Sequence, residues 1–99
     1  MNIYVDIDET ICFYSEDRDY YLAEPNHENI KKINSLYAQG NNITYWSARG
    51  GTTGDDWTDL TELQLKKWGC KYHELKMNSK PTYDLLICDK TKRIEEVLV

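Results

Sequence analysis

The chain has 99 residues, enough for one modest hydrophobic core and no second domain, and 40% of them are apolar. Twelve Lys and Arg against 17 Asp and Glu give a net charge of −5. That balance argues against binding nucleic acid or an anionic membrane, and no apolar run is long enough to cross a bilayer. The N-terminus "MNIYVDIDET" carries no secretion signal, so a cytoplasmic protein is expected.

In chain order, "NIYVDI" (2–7) reads as a short buried strand, β-branched and aromatic, that runs straight into carboxylates. Residues 9–23 show no clean period and carry four aromatics among charges, which suits a loop or small hairpin. Pro25 and Asn26 open a helix that carries Ile30, Ile33, Leu36 and Tyr37 and stops at Gly40 and Asn41. "NNITYWS" (41–47) is a second strand, and the glycine-rich "ARGGTTG" follows it. Asp55 or Asp56 caps a second helix with an apolar face of Trp57, Leu60, Leu63 and Trp68, ended by Gly69. "KYHEL" (71–75) is a weaker strand, "YDLLICD" (83–89) a strong one, and "TKRIEEVLV" (91–99) fits a closing helix.

Strands alternating with amphipathic helices predict an α/β fold, a mainly parallel sheet with helices on both faces. Ligands in such sheets bind beyond the carboxyl ends of the strands. Asp6 and Asp8 follow the first strand, Ser47 and Arg49 the second, and Asp89 the last, so all five converge on one rim. Asp84 lies at the other end of its strand, about 16 Å from Asp89 at about 3.3 Å per residue, and is left out.

Three carboxylates, a hydroxyl and a cation on one rim suit phosphoryl transfer. Hard oxygen donors, few in number, match Mg²⁺ better than zinc or a full calcium cage. Like charges two residues apart repel unless a cation compensates, and a metal would neutralise them. One carboxylate can attack phosphorus and form an aspartyl-phosphate, while the other, on the same side of the strand, moves protons. A calcium loop starting at Asp6 fails because Ile11 stands where the tight turn needs glycine. "RGGTTG" lacks the GK[ST] of a P-loop and the G-x-G-x-x-G of a dinucleotide site. Cys12, Cys70 and Cys88 are odd in number with no CxxC pair, so reduced thiols are expected. The helical spacing of Trp57 and Trp68 favours core packing over sugar stacking, and His27 and His73 have no partner that argues for catalysis.

Four motifs in order resemble the haloacid dehalogenase superfamily of phosphohydrolases, over essentially the whole chain. They are D-x-D-x-T at Asp6–Thr10, a serine ending a hydrophobic strand at Ser47, a lysine before the final strand at Lys80, and an acid after an apolar strand at Asp89. The resemblance implies a Rossmann-like domain spanning 1–99 and a Mg²⁺-dependent phosphatase acting on a small phosphorylated substrate. Asp6 would be the nucleophile and a metal ligand, and Asp8 the general acid/base with its backbone carbonyl on Mg²⁺. Ser47 and Lys80 would bind the phosphate, Asp89 would complete the metal shell, and Arg49, beside the phosphate, would contact substrate. Thr10 would brace the turn after the first strand.

Relatives often carry "DDK" where this chain has "CDK", so Cys88 replaces one acid and a neutral thiol is a poor Mg²⁺ ligand. Residues 11–25 are too few to fold as a cap domain, so the resemblance implies a capless member with an open site. Analogy with small capless members points loosely to sugar phosphates and leaves homo-oligomerisation open. The alternative is a protein that binds a phosphorylated ligand or regulates through it, on the same fold, with catalysis impaired.

Overall fold

The structure, a computed structural model, describes residues 1–15, 19–50, 54–78 and 85–87. The two longest described strands follow from sequences that leave little alternative. β1 (Asn2–Asp6) and β4 (Asn42–Ser47) are rich in β-branched and aromatic residues and are buried through their middles. Between them lie β2 (Cys12–Phe13), β3 (Glu24–Pro25) and a single 3-10 turn, Tyr20–Leu22. β2 and β3 pair antiparallel, one at the start of the stretch expected to be a loop or small hairpin and the other just past its end. β5 (Glu74–Met77) and β6 (Leu85–Ile87) complete a four-stranded sheet in the order β5-β4-β1-β6, with every neighbour parallel.

Helix α1 (His27–Ala38) begins where its sequence says it should. The Asn26 side chain accepts a hydrogen bond from the Asn29 amide at 3.1 Å, satisfying one of the free N–H groups of the first turn. Its end is fixed by Gly40, which takes a φ of +95° and returns its amide to the Tyr37 carbonyl. Helix α2 (Thr58–Lys67) starts on an Asp56 carboxylate that accepts from the Thr58 amide at 2.9 Å.

Ile3, Val5 and Ile7 point to one side of the sheet, with Ile43 and Tyr45 from β4, and pack with Ile30 and Ile33 of α1 and with Leu65 and Trp68. Both described helices therefore lie on that face. This is what right-handed crossovers give when the chain steps from β1 to β4 to β5 in one direction. Tyr4 and Thr44 on the opposite face are buried as well. The closing helix expected over 91–99 lies outside the described residues.

Three expectations shift. The weak strand is Glu74–Met77, later than the 71–75 read from sequence. Trp57 and Trp68 flank α2 instead of lying within it. Its inward face is Thr61, Gln64 and Leu65, while Leu63 is 62% exposed. Two polar side chains on a buried helical face need partners, and the site supplies them.

Ile33 is fully buried between α1 and the sheet. Ile33→Ala is expected to lower the free energy of unfolding by about 2–5 kcal/mol. Asn26→Ala, which removes only the cap, should lower it by about 1 kcal/mol. Urea denaturation of the two variants beside wild type measures both.

Candidate active site

The carboxyl end of β1 is where the chain changes character. The Ile7 amide still donates to the Trp46 carbonyl at 3.2 Å, so the strand stays on its neighbour one residue past Asp6. A tight turn follows: the amides of Thr10 and Ile11 both donate to the Ile7 carbonyl, and Glu9 takes a left-handed φ of +65°. The Asn29 side chain of α1 donates to the Thr10 carbonyl at 3.0 Å and ties the turn to the helix. The buried Thr10 hydroxyl has no partner among the described residues, so the link runs through its carbonyl.

β4 ends alongside. Asp6 is in register with Trp46, which places Ser47 just beyond it at the same edge of the sheet. Ser47 is buried, and its Oγ accepts the Arg49 amide at 3.1 Å. Asn78, after β5, fastens this second turn by donating its amide to the Ser47 carbonyl and its Nδ2 to the Arg49 carbonyl. Gly50 then takes a φ of +81°, and a Cβ there would stand 2.0 Å from the Asp55 carbonyl oxygen and 2.9 Å from Trp57. Only glycine lets the chain pass under residues 55–57.

Arg49 turns its side chain inward. Its guanidinium grips the Asp8 carboxylate, with Nη2 at 2.9 Å from Oδ1 and Nε at 3.2 Å from Oδ2. Nη1 donates to Thr61 Oγ1 at 3.1 Å and to Gln64 Oε1 at 2.6 Å, the two polar residues on the inner face of α2. Nη2 also reaches the Tyr14 hydroxyl at 3.3 Å, and that hydroxyl donates to Asp8 Oδ1 at 2.5 Å. The guanidinium lies 4.8 Å from the centre of the Tyr20 ring, whose backbone carbonyl accepts from Gln64 Nε2. Arg49 is 1% exposed. Burial alone would lower its pKa, but the hydrogen bonds and charge of Asp8 outweigh that and hold it above the ordinary value. Burial and the bond to Asp8 also raise Tyr14, which stays a neutral donor.

Asp6, Asp8, Ser47 and Arg49 thus share the carboxyl edge of β1 and β4, as the sequence leads one to expect. Arg49 departs from its expected role: it lies on Asp8 and α2 instead of standing open to substrate. Lys80, Cys88 and Asp89 lie outside the described residues. Sequence reading missed Tyr14, Tyr20, Thr61 and Gln64. The available signal was Thr61 and Gln64, polar and one helical turn apart in a helix that must bury a face. His73 has a structural role, since its Nδ1 accepts the Ile43 amide at 3.1 Å and Tyr37 stacks on its ring. Cys12 and Cys70 are free thiols.

Beside this edge the chain leaves two open hollows of about 370 and 420 Å³, which share Asp55, Asp56 and Trp57 in their walls. Trp57 meets Tyr20 and Tyr21 edge to face at 5.0 and 5.4 Å. Among the described residues no group of three or more His, Cys, Asp or Glu side chains is placed to hold a metal. The Asp6 carboxylate and the Asp8 backbone carbonyl at this edge are hard oxygen donors of the kind Mg²⁺ takes.

The fold has a counterpart in a solved structure. A crystal structure of a structural-genomics target from Vibrio cholerae superposes with a TM-score of 0.68 at 19% identity, over 81% of this chain and 71% of that one. No family model and no curated protein matches the sequence. The class established is therefore a small α/β protein with a parallel sheet. No described helix is long and apolar enough to cross a membrane.

Two outcomes follow from this packing. Gly50→Ala should destabilise the protein by more than about 1 kcal/mol, because the new methyl group collides with backbone at a left-handed position. Thermal denaturation, with tryptophan fluorescence reporting the displaced Trp57, tests it. Burial and the charge of Asp8 push the Cys12 thiol from 9.0 up to about 12, and burial pushes Cys70 to about 11. Unfolded thiols lose their protons first, so this stabilisation is complete below about pH 9 and disappears as pH rises through about 11 to 12. The urea midpoint should fall across that window, and less steeply in Cys12→Ala.

Proposed function

We propose that the protein is a Mg²⁺-dependent phosphohydrolase that cleaves a phosphomonoester through an aspartyl-phosphate at Asp6, on a haloacid dehalogenase-like, Rossmann-type fold. The observation that carries the reading is the D-x-D pair at the carboxyl end of the central strand, beside Ser47 on the neighbouring strand, with Asp8 fixed by a buried arginine. A strand end that was merely solvated would have no need of that fixing.

In the first step an Asp6 carboxylate oxygen attacks phosphorus, and the bond from phosphorus to the ester oxygen breaks. Asp8, a carboxylate paired with Arg49 until the substrate monoanion brings it a proton, passes that proton to the departing alkoxide, which leaves as an alcohol. In the second, water attacks the phosphorus of the acyl phosphate and Asp8 takes the proton that water loses. The bond from phosphorus to Asp6 breaks, and inorganic phosphate departs with the proton that Asp8 took, so that Asp8 is again the carboxylate paired with Arg49. Atoms and charge balance over the cycle, so no co-reactant besides water is required.

Ser47 and Lys80 would bind the phosphoryl oxygens. The Asp6 carboxylate, the Asp8 backbone carbonyl and Asp89 would hold Mg²⁺, which would supply charge neutralisation on the phosphate. The Asp8 side chain is engaged by Arg49 and Tyr14, which agrees with its carbonyl, and not its carboxylate, serving the metal. The open edge suits a small phosphorylated substrate such as a sugar phosphate, in a cytoplasmic setting.

Phosphate release from an aryl phosphate tests the reading. Wild type should release phosphate with Mg²⁺ and stop in EDTA, and Asp6→Asn should lower kcat by about 10³-fold or more. Full turnover in Asp6→Asn, or undiminished release in EDTA, overturns it.

A further inference from the structure

We propose that Arg49 is a positioning residue that aims the Asp8 carboxylate, and that it makes no contact with substrate; this rests on the phosphohydrolase reading above. A guanidinium has five N–H donors. Here each has a protein acceptor: Nε on Asp8, the two hydrogens of Nη1 on Thr61 and Gln64, and the two of Nη2 on Asp8 and Tyr14. Nothing is left for a phosphate oxygen, and the side chain has no exposed surface through which one could approach.

The direction of the bonds gives the role. Arg49 and Tyr14 both donate to Asp8, so its carboxylate is held from two sides. Arg49 is in turn held by α2 through Thr61 and Gln64, and Tyr20 covers its face. The position of Asp8 is thereby set by helix packing, and not by the geometry of its own turn alone. A reacting group displaced by about 1 Å can cost about 10²-fold in rate. Lysine cannot replace this arrangement, because a point charge cannot bridge Asp8 and α2 in a fixed plane.

The test separates positioning from binding by the way the kinetics divide. In Arg49→Lys, kcat should fall by about 10²-fold while KM for an aryl phosphate stays within about threefold. Tyr14→Phe, which loses one donor to Asp8 and none to α2, should lower kcat by a smaller factor with KM again kept. Arg49→Gly should recover part of its kcat when methylguanidinium is added. A raised KM with unchanged kcat in Arg49→Lys would make Arg49 a substrate contact and overturn the proposal. So would unchanged kinetics in Arg49→Lys. Should the Arg49 variants fail to fold, Tyr14→Phe decides by the same split. The Arg49 Nε–H resonance in NMR reads the pair without activity: it should be protected from exchange in wild type and lose protection in Asp8→Asn. Equal protection in both would overturn the proposal. A wild type with a protected Nε–H but no metal-dependent release overturns the phosphohydrolase reading and, with it, any catalytic use of the pair. A wild type that is active with Arg49→Lys unchanged in kcat leaves that reading standing and overturns only the positioning.

Discussion

A guanidinium with no exposed surface dictates much of what surrounds it. Taking a charge out of water costs several kcal/mol after relaxation, and the cost is offset only if the ion is paired and every donor is satisfied. Asp8 provides the charge, and Thr61, Gln64 and Tyr14 provide the remaining acceptors. This explains why α2 turns polar side chains inward, and why Tyr14 and Tyr20, in the stretch between β1 and α1, lie against β4's exit. Stability alone is a poor reason for such a pair, since apolar residues of equal volume usually serve as well. What an apolar set cannot do is hold a carboxylate in one place.

The sheet order makes the meeting of these groups inexpensive in chain length. β1 is central, and β4 enters beside it in parallel after one helix, so both strands deliver their last residues to the same edge. Each turn beyond the strands is then fastened by a neighbour: Asn29 of α1 holds the first, and Asn78 after β5 holds the second. Both are asparagines bonding to backbone carbonyls, which fixes loop geometry without adding charge beside the carboxylates.

The parts of this arrangement that were legible in the sequence are those set by local rules. Alternation and β-branching mark β1 and β4, the Asn26 cap and Gly40 bound α1, and the rule about strand ends brings Asp6, Asp8, Ser47 and Arg49 to one rim. What was not legible depends on where long side chains turn. Arg49 follows Ser47 by two residues, which places its Cα near a phosphate site but says nothing of a reach back to Asp8. The apolar face assigned to α2 was wrong for the same reason: periodicity favours Leu63, whereas the helix rotates to give Thr61 and Gln64 to a partner only the tertiary structure supplies. The β5 boundary moved because "KYHEL" lacks strong β-formers, and its pairing with Thr44–Ser47 sets where the strand lies.

The pairing also bears on the problem posed by two carboxylates two residues apart. Repulsion between Asp6 and Asp8 needs a compensating cation, and a single metal serving both would face a heavy acidic load. In this fold the load is divided, because Asp8 has its own resident cation in Arg49. On the proposed reading a divalent ion then answers to Asp6 and Asp89 alone, two negative charges against two positive. A further acid at position 88 would leave that set with an unbalanced negative charge next to a phosphate that is itself anionic. On the same reading the Cys88 of "CDK", as a neutral thiol, leaves that set balanced.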